Sequence, residues 1–250
     1  MRYKAVFFDL DKTLWTFKDA DGRRQIYRKQ GQKLIEILTG HGVEVKWDAN
    51  FMGSVVGNGI WAAERAEYYS TAIPPDYGAI LRRIVEFWVG EMPTDLDWDE
   101  IYASLYVDEA PMKSIYPDVL PSLQKLKDAD VKLAIVSNRT MGGEAFTRDF
   151  GSTPLAPFFD AIVVSCDVGF MKPHPEIFRI AMRRLGVAAD EAAMVGDLLR
   201  ADVIGAQNAG ITGIWINRDG QPNEYPSVKP DFEITDFHEL TEIVLGDEGL

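Results

Sequence analysis

From Lys4 to Phe8 the chain is an apolar run with the length and β-rich composition of a buried strand, and it stops at Asp9, Asp11 and Thr13. Asp9 therefore falls at a strand's carboxyl end, where open α/β sheets place their ligands. A strand continued past Asp9 would point Asp9 and Asp11 to one side. From Pro117 onward helical and strand-like segments alternate at short intervals, the pattern of βαβ units around a parallel sheet. Val119, Leu120, Leu123 and Leu126 space an amphipathic helix over 117–128, with Pro117 suited to its first turn. The pattern then predicts strands at 132–137, 161–165, 193–196 and 213–216. Helices are expected at 143–150, at 175–185 closed by Gly186, at about 201–209 ending at Gly210, and at about 236–245.

Residues 17–110 follow another pattern. They lack strand alternation and carry helical spacing with many aromatics, among them Trp61, Tyr68, Tyr69, Phe87, Trp88 and Trp98. The expectation is an α/β core domain made of residues 1–16 and 111–250, with a helical insertion at 17–110. The insertion is entered near Trp15 to Lys18 and left near Asp108 to Ile115. Its aromatics are expected mainly to fill its own core.

Charge narrows the choice of partner. The 250 residues carry a formal net charge of -13, which disfavours nucleic acid. Apolar stretches such as Ala134 to Val136 are too short to span a bilayer, and Met1 leads straight into the first strand without a signal-type segment. A cytoplasmic protein is expected. The single cysteine, Cys166, excludes an internal disulfide framework and a zinc cluster of cysteines, and reads as a packed side chain at a strand end.

Asp9 and Asp11 are close enough in sequence to repel each other unless a cation or a shared proton relieves them. A strand-ending turn with solvated acids is an equal reading of that motif alone. Three later segments bear on it. Ser137 and Asn138 place a hydroxyl and an amide at the end of the 132–137 strand. Lys172 sits in a loop, GFMKPHP, before a helix. Asp197 ends another strand, with Asp202 five residues on, in VGDLLRAD.

Together and in this order, DxDxT, a strand-terminal serine, a lysine before proline and GDxxxxD resemble the four motifs of the haloacid dehalogenase superfamily of hydrolases. The resemblance covers residues 4–13 and 116–217. It implies a Rossmann-like doubly wound parallel sheet with a helical cap inserted after the first motif, as in the first subclass. It also implies a Mg²⁺-dependent phosphatase acting on a small phosphorylated metabolite, with no nucleic acid or membrane partner.

By the same resemblance Asp9 is the nucleophile that becomes an aspartyl phosphate, and Asp11 is the acid and base. Asp9, the main-chain carbonyl of Asp11, and Asp197 hold Mg²⁺, with Asp202 supporting them. Thr13, Ser137, Lys172 and, more weakly, Asn138 bind the transferring phosphoryl group. Asp11 argues against a dehalogenase, which lacks the second aspartate. Trp15, and the want of membrane spans, argue against an ion-pumping ATPase. A phosphomutase remains open, as does a phosphonate hydrolase, for which Lys18, Lys29 and Lys46 are unpersuasive Schiff-base candidates. A silent binding protein would tolerate loss of Asp9 or Asp11, and both are present. Asn58, Trp61, Arg65 and Tyr68 could face the site or belong to an ordinary cap helix, and Arg139 could contact an anionic substrate or pair with a surface carboxylate.

Overall fold

The structure is a computed structural model that describes residues 2–246. Two compact units emerge: the described residues of Met1–Thr16 and Ser114–Leu250 form one, and Phe17–Lys113 the other.

The first unit is built on strand β1 (Ala5–Phe8), whose four residues are all buried. Strands β2 (Trp15–Phe17) and β3 (Lys113–Ile115) form a separate two-stranded ribbon where the chain passes between the units. The main sheet adds β4 (Lys132–Ser137), β5 (Ala161–Val164), β6 (Ala192–Gly196), β7 (Thr212–Ile216) and β8 (Phe232–Ile234) in the order β5-β4-β1-β6-β7-β8. Each neighbouring pair is parallel. Parallel strands covered on both faces read as continuous apolar runs, as β1 and β6 do. Phe7 packs with Ala134, Val136, Met194 and Phe178 on one face. On the other, Phe8 meets Phe159 and Phe237 with ring centroids 5.9 and 5.6 Å away.

Register fixes where the site lies. Phe8 pairs with Ile135 on one side and Val195 on the other, so the residues that follow all three strands emerge at one edge. The chain runs outward through β4 and β5, then returns to β6 on the opposite flank of β1. That reversal is the switch point at which doubly wound sheets bind ligands.

Several boundaries differ from expectation, most by a single residue, and three are instructive. Helix α5 (Val119–Asp128) starts after Pro117, because Val119 donates to the Tyr116 carbonyl and puts Pro117 inside a tight turn. Strand β5 stops at Val164 because the Ser165 hydroxyl exchanges hydrogen bonds with the main chain of Arg139, at 2.9 and 3.0 Å. The helix expected from Ala201 begins earlier, as a π-helical turn over Leu199–Ile204.

The second unit contains α1 (Gly22–Gly40), α2 (Ala49–Tyr69), α3 (Tyr77–Val89) and α4 (Trp98–Ser104). Helices α1 and α2 approach so closely that a Cβ on Gly53 would clash with the Tyr27 carbonyl, and one on Gly31 with that of Ala49. Gly53→Ala is therefore expected to destabilise the protein by about 1–3 kcal/mol in denaturant unfolding, despite alanine's better helix propensity. A neutral or stabilising result would refute the close approach. The aromatics divide. Trp98 is buried and Tyr77 stacks on Tyr102, whereas Trp61, Tyr69 and Phe87 are exposed, with the Arg65 guanidinium 5.2 Å from the Trp61 and Tyr69 rings.

Candidate active site

Asp9 leaves the sheet at the end of β1, its amide donating to the Val195 carbonyl at 3.0 Å. Its Oδ1 accepts from the Ser137 hydroxyl at 3.0 Å and from Lys172 Nζ at 2.7 Å. Asp9 Oδ2 receives no hydrogen bond among the described residues. The carboxylate is thus held by one oxygen and open at the other.

Lys172 is almost fully buried and also donates to Asp202 Oδ1 at 2.7 Å. Asp202 is wholly buried, and its Oδ2 accepts from the Leu198 amide at 2.9 Å. That fold-back accompanies the π-helical turn, a feature common at functional sites. The Asp202 carboxyl lies against Gly196, where any Cβ would clash with it. Glycine before Asp197 is therefore a packing requirement.

Ligand oxygens of Asp9, Asp197 and Asp202 all lie within 4.8 Å of one another. Three carboxylates facing one ammonium suit a hard divalent metal ion. The electrostatics carry the same imbalance. Burial, then the Asp9 and Asp202 charges, push Asp197 up to about 8. Burial also raises Asp202, against the pull of Lys172. Burial opposes the charge on Lys172, but Asp202 and Asp9 outweigh it and hold the ammonium protonated.

The chain turns sharply after Asp9. The amides of Thr13, Leu14 and Trp15 all donate to the Leu10 carbonyl, so the strand does not continue to Asp11. Asp11 instead sits exposed in this turn, opposite Trp15, with its carboxylate outside the three-acid cluster. Thr13 is fully buried, and its hydroxyl has no hydrogen-bond partner among the described residues.

Asn138 has a different occupation from the one expected. Its Oδ1 accepts from the Lys172 amide at 2.7 Å and its Nδ2 donates to the Lys172 carbonyl at 2.9 Å. Both ends of the side chain therefore anchor the lysine loop, in which the Lys172–Pro173 peptide is cis. Arg139 lies over the Phe146 ring, 4.2 Å from its centroid. Cys166 is half-buried, its thiol pushed up to about 12 by burial and by Asp167. A thiol held protonated is a poor nucleophile.

Two residues that sequence reasoning did not single out meet at the Thr13 turn. Arg218 donates to Asp118 and, at 3.1 Å, to the Thr13 carbonyl. They lie a hundred positions apart, and neither has a local signal.

Comparison with known proteins adds to the geometry. Residues 3–210 match the haloacid dehalogenase-like hydrolases. The chain is 29% identical to the glyceraldehyde 3-phosphate phosphatase of Methanopyrus kandleri, over 96% of this chain and 97% of that one. The phosphoserine phosphatase of Thermus thermophilus is 35% identical over 50% of this chain and 49% of its own. Among solved structures, a HAD phosphatase from Thermococcus onnurineus superposes with a TM-score of 0.61 at 27% identity, covering 99% of this chain and 100% of that one. A 2-haloacid dehalogenase from Pseudomonas syringae gives 0.62 at 26%, covering 97% and 98%. The dehalogenase shares the fold, while the Methanopyrus kandleri relative, matched along nearly its whole length, is a phosphatase. The chain belongs to the haloacid dehalogenase-like hydrolases, on the phosphatase side of that family.

Proposed function

We propose that the protein is a Mg²⁺-dependent phosphatase of a small phosphomonoester, that Asp9 is its nucleophile, and that residues 17–110 are its helical cap domain. The observation that carries this reading is the Asp9 carboxylate, clamped at Oδ1 by Ser137 and Lys172 and grouped with Asp197 and Asp202. Asp9 and Asp197, with the main-chain carbonyl of Asp11, would hold the metal ion, and Asp202 would brace Lys172 behind them. Bound there, Mg²⁺ supplies charge neutralisation for the approach of an anionic phosphate to an anionic nucleophile.

Asp9 attacks phosphorus, the ester P–O bond breaks, and Asp11 gives its proton to the departing oxygen. Asp11, now ionised, takes a proton from water, whose oxygen attacks phosphorus and releases Asp9 and inorganic phosphate. Lys172, Ser137 and the Thr13 hydroxyl bind the phosphoryl oxygens, with Asn138 holding Lys172 in place. The relatives' substrates, glyceraldehyde 3-phosphate and phosphoserine, are both small phosphomonoesters.

An aryl phosphate assayed with and without Mg²⁺ tests the proposal. Mg²⁺-dependent release of phosphate is expected; no turnover of any phosphomonoester by folded, metal-loaded protein would sink it.

The acid cluster adds a pH dependence. Asp197 titrates higher in the folded, metal-free protein, near 8, than its ordinary value of 3.8. The folded state then holds the proton more tightly than the unfolded chain, so stability is lost as pH rises through that window. Mg²⁺ displaces the proton and restores what was lost. The rise in melting temperature on adding Mg²⁺ should therefore grow from pH 5 to pH 8 and stay flat in Asp197→Asn. A pH-independent rise in the wild type would contradict it.

A further inference from the structure

A partly buried charged pair that the proposed steps leave unused touches the Thr13 turn. Arg218 follows β7 and Asp118 precedes α5. Arg218 Nη1 donates to both Asp118 oxygens, at 3.1 and 2.9 Å, while Nη2 donates to the Thr13 carbonyl at 3.1 Å. The guanidinium carbon lies 4.0 Å from the centre of the Tyr116 ring and 5.2 Å from that of Phe237. The Phe237 amide donates to Asp118 Oδ2 at 2.8 Å, and the Tyr116 amide to the Leu14 carbonyl at 3.1 Å. Every contact ends on the turn that carries Thr13 or on a group that holds Arg218.

Taking even part of a guanidinium out of water is costly, and the Arg218 Nε is buried without a hydrogen-bond partner among the described residues. What a guanidinium offers in return is a rigid fork that grips an anion with one nitrogen and a carbonyl with another, which an ammonium cannot reproduce. Thr13 is held by its carbonyl while its hydroxyl is buried and unpaired. We infer that Arg218, held by Asp118, is a positioning residue that sets the Thr13 peptide so that the Thr13 hydroxyl meets the phosphoryl group. This rests on the phosphatase reading above.

The test is a double-mutant cycle read in the Ki of inorganic phosphate against an aryl phosphate, on the full chain with saturating Mg²⁺. Arg218→Lys keeps the charge opposite Asp118 but loses the fork. Arg218→Lys and Thr13→Ala should each raise Ki by about tenfold, and the double variant should stay within about twofold of either. A merely structural ion pair would be rescued by lysine, or its effect would multiply with that of Thr13→Ala to about a hundredfold. Either outcome overturns the inference. If Arg218→Lys does not fold, Asp118→Asn, which keeps an acceptor for the Phe237 amide, enters the same cycle with the same criterion. Wild-type protein that neither binds phosphate nor hydrolyses the aryl phosphate defeats the phosphatase reading. Wild-type protein that binds phosphate, with an additive cycle, defeats only the role of Arg218.

Discussion

Asp9→Asn is expected to lower phosphomonoester turnover by about 10⁴-fold or more, down to the limit of detection, while the protein stays folded. The amide is nearly the shape of the carboxylate, and its oxygen can still accept from Ser137 and Lys172, so the clamp survives. What it loses is the anionic oxygen that attacks phosphorus. One negative charge also leaves a cluster in which three acids face one lysine. The metal-free variant should therefore melt no lower than the wild type. Steady-state assays beside thermal melts separate the two effects. Activity within tenfold of wild type would show that Asp9 is not the nucleophile.

Asp11→Asn should behave differently, because the cost depends on what leaves. An alkoxide needs a proton as it departs, so kcat/KM for a sugar-like phosphate should fall by about 10²–10⁴-fold. A phenolate leaves unaided, and kcat/KM for an activated aryl phosphate should change far less. The second step still lacks its base, so the aryl phosphate should show a burst of one phenol per enzyme followed by slow turnover. Asp11 is exposed, in a turn rather than on the strand. Equal losses of kcat/KM for good and poor leaving groups would refute its acid role.

Much of the sheet could be read from the chain because parallel strands buried on both faces leave unbroken apolar runs, as in AVFF and KLAIVS. Glycine at a left-handed position marked the end of the helix Pro175–Leu185, at Gly186. Strands β2, β3 and β8 were not anticipated; each has only three residues, too few to show a period. A strand-ending turn after Asp9 is one of two readings that the motif allows, and the sequence does not choose between them because the Leu10 carbonyl, a main-chain group, organises the turn.

Within the site, Asp9, Ser137, Lys172, Asp197 and Asp202 were legible by type and order, and the structure brings them together. Asn138 was legible as a polar residue but not as an anchor, since its partners are the amide and carbonyl of residue 172. The Arg218–Asp118 contact joins segments that only the folded sheet brings together.

Asp9 is the residue proposed to carry the phosphoryl group. Asp11→Asn protein, mixed with an activated aryl phosphate and Mg²⁺, should accumulate the phosphorylated form because its breakdown lacks a base. Quenching with borohydride reduces an acyl phosphate to the alcohol, and mass spectrometry of the peptide spanning Asp9 should find homoserine at that position, absent when substrate is omitted. Burst release of phenol with Asp9 unmodified in the quenched peptide would contradict it.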